Sequence, residues 1–193
     1  MSARAMRVLF VAAIVVIGYP FAVSADAPLV VSHPALAASV ERLAAESRTF
    51  REALAAVATT GRHTVLTTPD KVDIPFDRTV LAQGYPIGDD DSRVETMVIV
   101  INLDLLQKLS GLSMTAVDFE DDLDRIVAHE IYGHAVPVLL AGNRAGNCPD
   151  PAVGQSALTS CAVQRENVIR REMRLGQRVE YGRDSLALAR RQY

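Results

Sequence analysis

Two imidazoles and a carboxylate fall within one six-residue stretch, His129-Glu130-Ile131-Tyr132-Gly133-His134. Neutral histidine is a preferred ligand for zinc and related ions, and a carboxylate beside it can take a proton from water held at such an ion. In the usual metal helix the histidines are four apart and lie only about 40° apart around the axis. Here they are five apart, which on a regular α-helix turns the second ring about 140° away. A single i→i+5 turn absorbs one residue and brings the rings back together. Gly133 offers a position without a side chain to crowd the neighbouring turn, and Pro137 removes an N–H from the next one. The spacing therefore predicts a helix widened around Tyr132 and Gly133, with both imidazoles facing one point.

The same spacing and glycine, HExxGH, resemble the signature of dipeptidyl-peptidase III, a zinc peptidase of the gluzincin type. The resemblance implies His129 and His134 as zinc ligands, Glu130 as general base, and a glutamate on a later helix as third ligand. Glu166, on the helix expected after Cys161, fills that last place, with Asp150 and Glu172 as weaker candidates. Three protein ligands leave the fourth position of a catalytic zinc to water, whose pKa then falls to near 7. The segment holding Glu166, Asn167, Arg170, Glu172, Gly176, Arg178, Tyr181 and Gly182 resembles the C-terminal part of bacterial effector-type and Rhs-associated zinc metallopeptidases. Tyr181, Arg178 and Arg170 are candidates to stabilise an oxyanion. His33 and His63 stand far from the motif and are not expected to bind the metal.

The metal helix needs a scaffold. Leu36, Val40, Leu43, Phe50, Leu54 and Val57 recur at helical spacings between Pro34 and Gly61, predicting one long amphipathic helix. Thr64 to Thr67, Val72 to Phe76, Thr79 to Leu81 and Val94 to Asn102 read as β-rich segments between turn residues, and Met97 to Ile101 is apolar enough to be buried on both faces. From Thr115 the pattern turns helical through the motif to Gly142, and a last helix is expected from about Thr159 to Leu175, followed by an arginine-rich tail. The acidic residues from Asp118 to Asp124 fit a helix start, where negative charge meets the positive end of the macrodipole. The expected fold is α+β: a small, mostly antiparallel sheet with an N-terminal helix, a zincin-like metal helix and a C-terminal ligand helix. By resemblance to zincins, Met97 to Asn102 or its neighbour borders the cleft and can pair with an extended peptide.

Residues 1–25 read as a secretory signal peptide: Arg4 and Arg7, an apolar run from Val8 to Gly18, and small residues before Asp26. That run is shorter than the about 20 apolar residues of a membrane span. The remaining 168 residues (193 minus 25) suit one domain, and their 18 basic and 23 acidic residues argue against nucleic acid as a partner. In an exported chain the only two cysteines, Cys148 and Cys161, are expected to pair. The sequence thus predicts a periplasmic or secreted zinc hydrolase with one zinc per chain, acting on a peptide or protein without stable membrane insertion. The alternatives are a non-catalytic zinc-binding module and an exported interaction or inhibitor protein.

Overall fold

The structure, a computed structural model, describes residues 15–16, 28–89, 93–110, 116–150, 156 and 160–179. The expected signal segment lies outside these residues except for Val15–Val16, as do Tyr181 and the tail from residue 180 onward. Helices and strands both build the fold. The strands are β1 (Val15–Val16), β2 (Leu29–Val31), β3 (His63–Thr67), β4 (Ala82–Ile87) and β5 (Thr96–Ile101), in the order β1-β2-β3-β5-β4. The helices are α1 (Pro34–Glu46), α2 (Arg48–Ala58), α3 (Leu103–Ser110), α4 (Ala116–Ala128), a π-helix (His129–Ala135), α5 (Val136–Ala141), a 3-10 turn (Arg144–Gly146) and α6 (Cys161–Glu172).

The sheet corrects the expectation of a mostly antiparallel one. Strands β2 and β3 pair in parallel, as do β1 with β2 and β3 with β5, and among the described strands only β4 runs antiparallel, against β5. The reason is connectivity: α1 and α2 carry the chain from the end of β2 back to the start of β3, and such a crossover makes neighbours parallel. Short β-rich runs separated by turn residues look like hairpins in sequence, but among the described residues only β4 and β5 pair in this way. Residues 72–76, expected as a strand, are irregular, whereas β4 was not legible because Gly84 and Pro86 lower its strand character. Proline is tolerated there because β4 is an edge. Asn102 N–H bonds to Leu81 C=O, and in an antiparallel ladder this parity turns the backbone polar groups of Ala82, Gly84 and Pro86 away from β5.

Strand β5 is buried from Met97 to Ile101, as its apolar run predicted. The expected N-terminal helix is two, broken at Ser47. This buried serine caps α2 by accepting from Phe50 N–H, and it also donates to Glu172 at the end of α6. Thr49 donates to the same carboxylate through its hydroxyl at 2.7 Å and its backbone N–H at 3.1 Å. Of the acidic run, Asp124 is buried and receives both arms of Arg42 from α1 at 2.8 and 2.9 Å, which locks α4 against α1. Leu36, Phe50, Ile99, Val127, Ile131 and Ile169 meet in one core, so the π-helix and α6 are seated in the same apolar mass as the sheet.

Candidate metal centre

Helix α4 runs directly into the π-helix, where the extra residue between the histidines is taken up: Val136 N–H bonds to the Ile131 carbonyl, five residues back. A wide turn loosens its own hydrogen bonding, and a side chain of α6 compensates at one carbonyl. An α-helix would offer the Gly133 carbonyl the N–H of residue 137, but Pro137 has none, and Arg165 of α6 donates to that carbonyl instead at 3.2 Å. Gly133 also lets α6 approach closely. A Cβ added there would lie 3.2 Å from Ala162 Cβ and 3.3 Å from Ala162 O, tighter than ordinary packing. At the far end Gly142 closes α5 in the left-handed conformation, with φ 72°. The widening expected from sequence is therefore present, and its glycine serves helix–helix contact.

The two imidazoles face each other, with Nε2 to Nε2 at 3.1 Å. Asp150 Oδ1 completes the group, 3.1 Å from His129 Nε2 and 3.4 Å from His134 Nε2. The opposite nitrogens are held by acceptors: His129 Nδ1 donates to Glu166 Oε2 at 2.9 Å and His134 Nδ1 to Asn147 Oδ1 at 3.0 Å. With a proton on each Nδ1, both Nε2 atoms present lone pairs toward a carboxylate oxygen. Three such atoms converge on one point, and among the described residues His129, His134 and Asp150 form a group that could hold a metal ion.

Glu166, expected as the third ligand, is placed elsewhere. It lies on the Nδ1 side of His129, almost wholly buried, with Oε1 taken by Arg170 at 2.8 Å and Oε2 shared with Arg178 at 3.2 Å. Burial alone would raise its pKa, but His129, Arg178 and Arg170 together bring it down to about 2. It is a permanent carboxylate that orients His129. Arg170 and Arg178, candidates for oxyanion stabilisation, are thereby engaged with Glu166, and Glu172 is spent on Ser47 and Thr49. His33 caps α1 and His63 opens β3, both away from the group.

Glu130 borders a cavity of about 420 Å³, with His134 and Asp150 on one side and Ala82, Gly84 and Pro86 of β4 on the other. Burial raises its pKa, opposed by the positive charge of the two histidines when they are protonated. Desolvation lowers the affinity of His129 for a proton, yet Asp150 and Glu166 outweigh it and push its pKa up to about 10. The field at this point favours positive charge. Sequence reasoning underrated Asp150 and missed Asn147. The available signal was Cys148 between them, because the disulfide it forms with Cys161, with Cα atoms 5.7 Å apart, fixes this loop beside the start of α6.

Among the described residues no helix is long and apolar enough to cross a membrane. A bridged pair of cysteines fits an oxidising environment outside the cytoplasm. Compared with models of protein families, with curated proteins and with solved structures, the chain matches none.

Proposed function

We propose that the protein is an exported zinc-dependent hydrolase, a peptidase in which His129, His134 and Asp150 hold one zinc and Glu130 is the general base. The observation that carries this reading is the convergence of two imidazole Nε2 atoms and one carboxylate oxygen at the wall of a cavity that Glu130 also lines. The donor set fits the group: two nitrogens and one oxygen are a common catalytic zinc set and leave a position open. When bound, zinc would supply Lewis acidity and lower the pKa of water to about 7.

The remaining work falls to the chain itself. Glu166 and Asn147 hold each imidazole with Nε2 toward the cavity, the ring orientation a zinc ligand needs. Glu130 follows His129 directly and so points to a different side of the helix, toward the cavity, where it takes a proton from the attacking water and returns it to the leaving amine. Its desolvated surroundings raise its basicity toward the working range of such a base. The outward backbone groups of Ala82 and Gly84 on β4 offer an extended peptide a strand to pair with across the cavity, while Pro86, lacking an N–H, limits how far that pairing can run.

The test is Glu130→Gln. The variant is expected to keep about one zinc per chain while hydrolysis of a peptide selected with the wild type falls roughly a hundredfold or more. His129→Ala is expected to lose zinc and activity together. A Glu130→Gln variant as active as the wild type contradicts the peptidase mechanism and favours a non-catalytic zinc module.

A further inference from the structure

The two sides of the metal group are held in different ways. His129 and His134 stand on a helix packed into the core and braced by α6. Asp150 stands on a segment, residues 143–150, in which Cys148 alone is buried; Asn147, Pro149 and Asp150 are exposed. After the 3-10 turn and the bond from Asn147 N–H to Arg144 O, this segment has no regular structure as far as Asp150. Gly146 packs against Pro137 of α5, and the covalent fastening is the half-cystine. Cys148 is bridged to Cys161, the first residue of α6, and one turn further Arg165 reaches both Cys148 Sγ at 3.4 Å and the Gly133 carbonyl at 3.2 Å. The next residue, Glu166, holds His129. A single short path of covalent and hydrogen bonds thus joins the Asp150 segment to the helix carrying the histidines.

We infer that the Cys148–Cys161 disulfide is a redox switch for the metal centre: bridged, it presents Asp150 and Asn147 to the histidines; reduced, it releases them and metal affinity collapses while the helical core stays folded. This rests on the metal-binding reading above and adds its regulation. The step is a two-electron exchange. A dithiol attacks the S–S bond, gives up two electrons and two protons, and becomes a cyclic disulfide, leaving thiols at Cys148 and Cys161. Released, residues 147–150 regain conformational freedom that must be lost again each time Asp150 ligates, and this ordering cost appears directly as weaker binding. The backbone that carries the histidine pair is seated in the core through Ile131 and Ala135 and braced by Arg165 at the Gly133 carbonyl. Chain still in a reducing cytoplasm would carry an incomplete centre, and oxidation after export would assemble it.

The experiment measures zinc affinity by competition with a chromophoric chelator on three forms of the full chain: oxidised, reduced with dithiothreitol then alkylated with iodoacetamide and desalted, and Cys148→Ser/Cys161→Ser. Alkylation prevents the new thiols from binding zinc themselves. The oxidised form is expected to bind one zinc, and the other two to bind it about ten- to a hundredfold more weakly with an unchanged helical circular dichroism spectrum. Asp150→Asn is expected to bind weakly in both redox states, with the difference between them reduced to the share carried by Asn147. Equal affinities in the oxidised and reduced wild type overturn the inference while leaving the metal centre standing. Loss of the helical spectrum on reduction also overturns it, since the bridge would then be a staple of the whole fold. An oxidised form that binds no zinc removes the metal reading and the switch with it.

Discussion

The helix from Ala116 to Ala141 and the segment from Asn143 to Asp150 contribute to one cluster by opposite means. The helix carries its histidines on a largely buried face, braced by Glu166 and Arg165 from α6, the latter at the Gly133 carbonyl. The segment carries a partly exposed aspartate and is anchored covalently by one buried cysteine. A metal centre of this design has a preorganised half, costly to perturb, and a tethered half whose loss costs the fold little. That asymmetry predicts which substitutions affect stability and which affect only binding.

The largest effect is expected on the braced side. Glu166→Ala strips two guanidiniums and an imidazole of their shared partner and leaves buried charge uncompensated. Breaking such a network costs about 3–5 kcal/mol, and zinc affinity falls with it because His129 loses its orienting carboxylate. Urea denaturation and a zinc titration check both, and an unchanged denaturation midpoint would mean that the braced half is not braced. Gly133→Ala comes next. Alanine in a free helix would stabilise by about 0.5–1 kcal/mol, whereas here its Cβ meets Ala162 at 3.2 Å and α6 must shift, so a net loss of about 1–3 kcal/mol is expected. The sign of the change in melting temperature decides between a position kept for backbone freedom and one kept for helix contact.

On the tethered side the pattern reverses. Asn147→Ala removes the acceptor at His134 Nδ1 from an exposed residue, so zinc affinity is expected to fall about tenfold with stability unchanged within about 0.5 kcal/mol. A melting temperature that drops as far as that of Glu166→Ala would erase the distinction between the halves.

Smallest is a pH effect away from the centre. Burial would raise the pKa of Glu172, but hydrogen bonds from Ser47 and Thr49 outweigh it and hold the carboxyl below its ordinary 4.5. A depressed folded-state pKa gives stability that is present above the unfolded value and lost as pH falls through the folded one. Acid titration of stability should therefore show a loss below about pH 4.5 that is smaller in Glu172→Gln.

The contrast also explains what could be read from the sequence. The histidine spacing, with Gly133 and Pro137, pointed to a widened helix because the constraint is local: five residues must do the work of four. The buried character of β5 was legible for the same reason, in a run of apolar residues. The strand pairing was not, because parallel neighbours are created by the α1–α2 crossover, whose direction no local pattern records. The capped break at Ser47 is also tied to Glu172, 125 positions away, a contact that no local pattern records. Glu166, the expected third ligand, lies behind the His129 ring, and Asp150, the weaker candidate, lies in front of it; a carboxylate in either position leaves the same mark on a sequence. Only the disulfide, which draws the Asp150 loop to the start of α6, distinguishes them.

The central claim is that one cation is held by His129, His134 and Asp150 with Glu166 behind the first ring. The most direct measurement is a crystal structure of the oxidised protein grown with zinc, with anomalous data collected on both sides of the zinc absorption edge. A single peak about 2.0–2.2 Å from both Nε2 atoms and from an Asp150 oxygen, with Glu166 still on His129 Nδ1, is the predicted result. A peak ligated by Glu166, or no peak between the two imidazoles, would contradict the account.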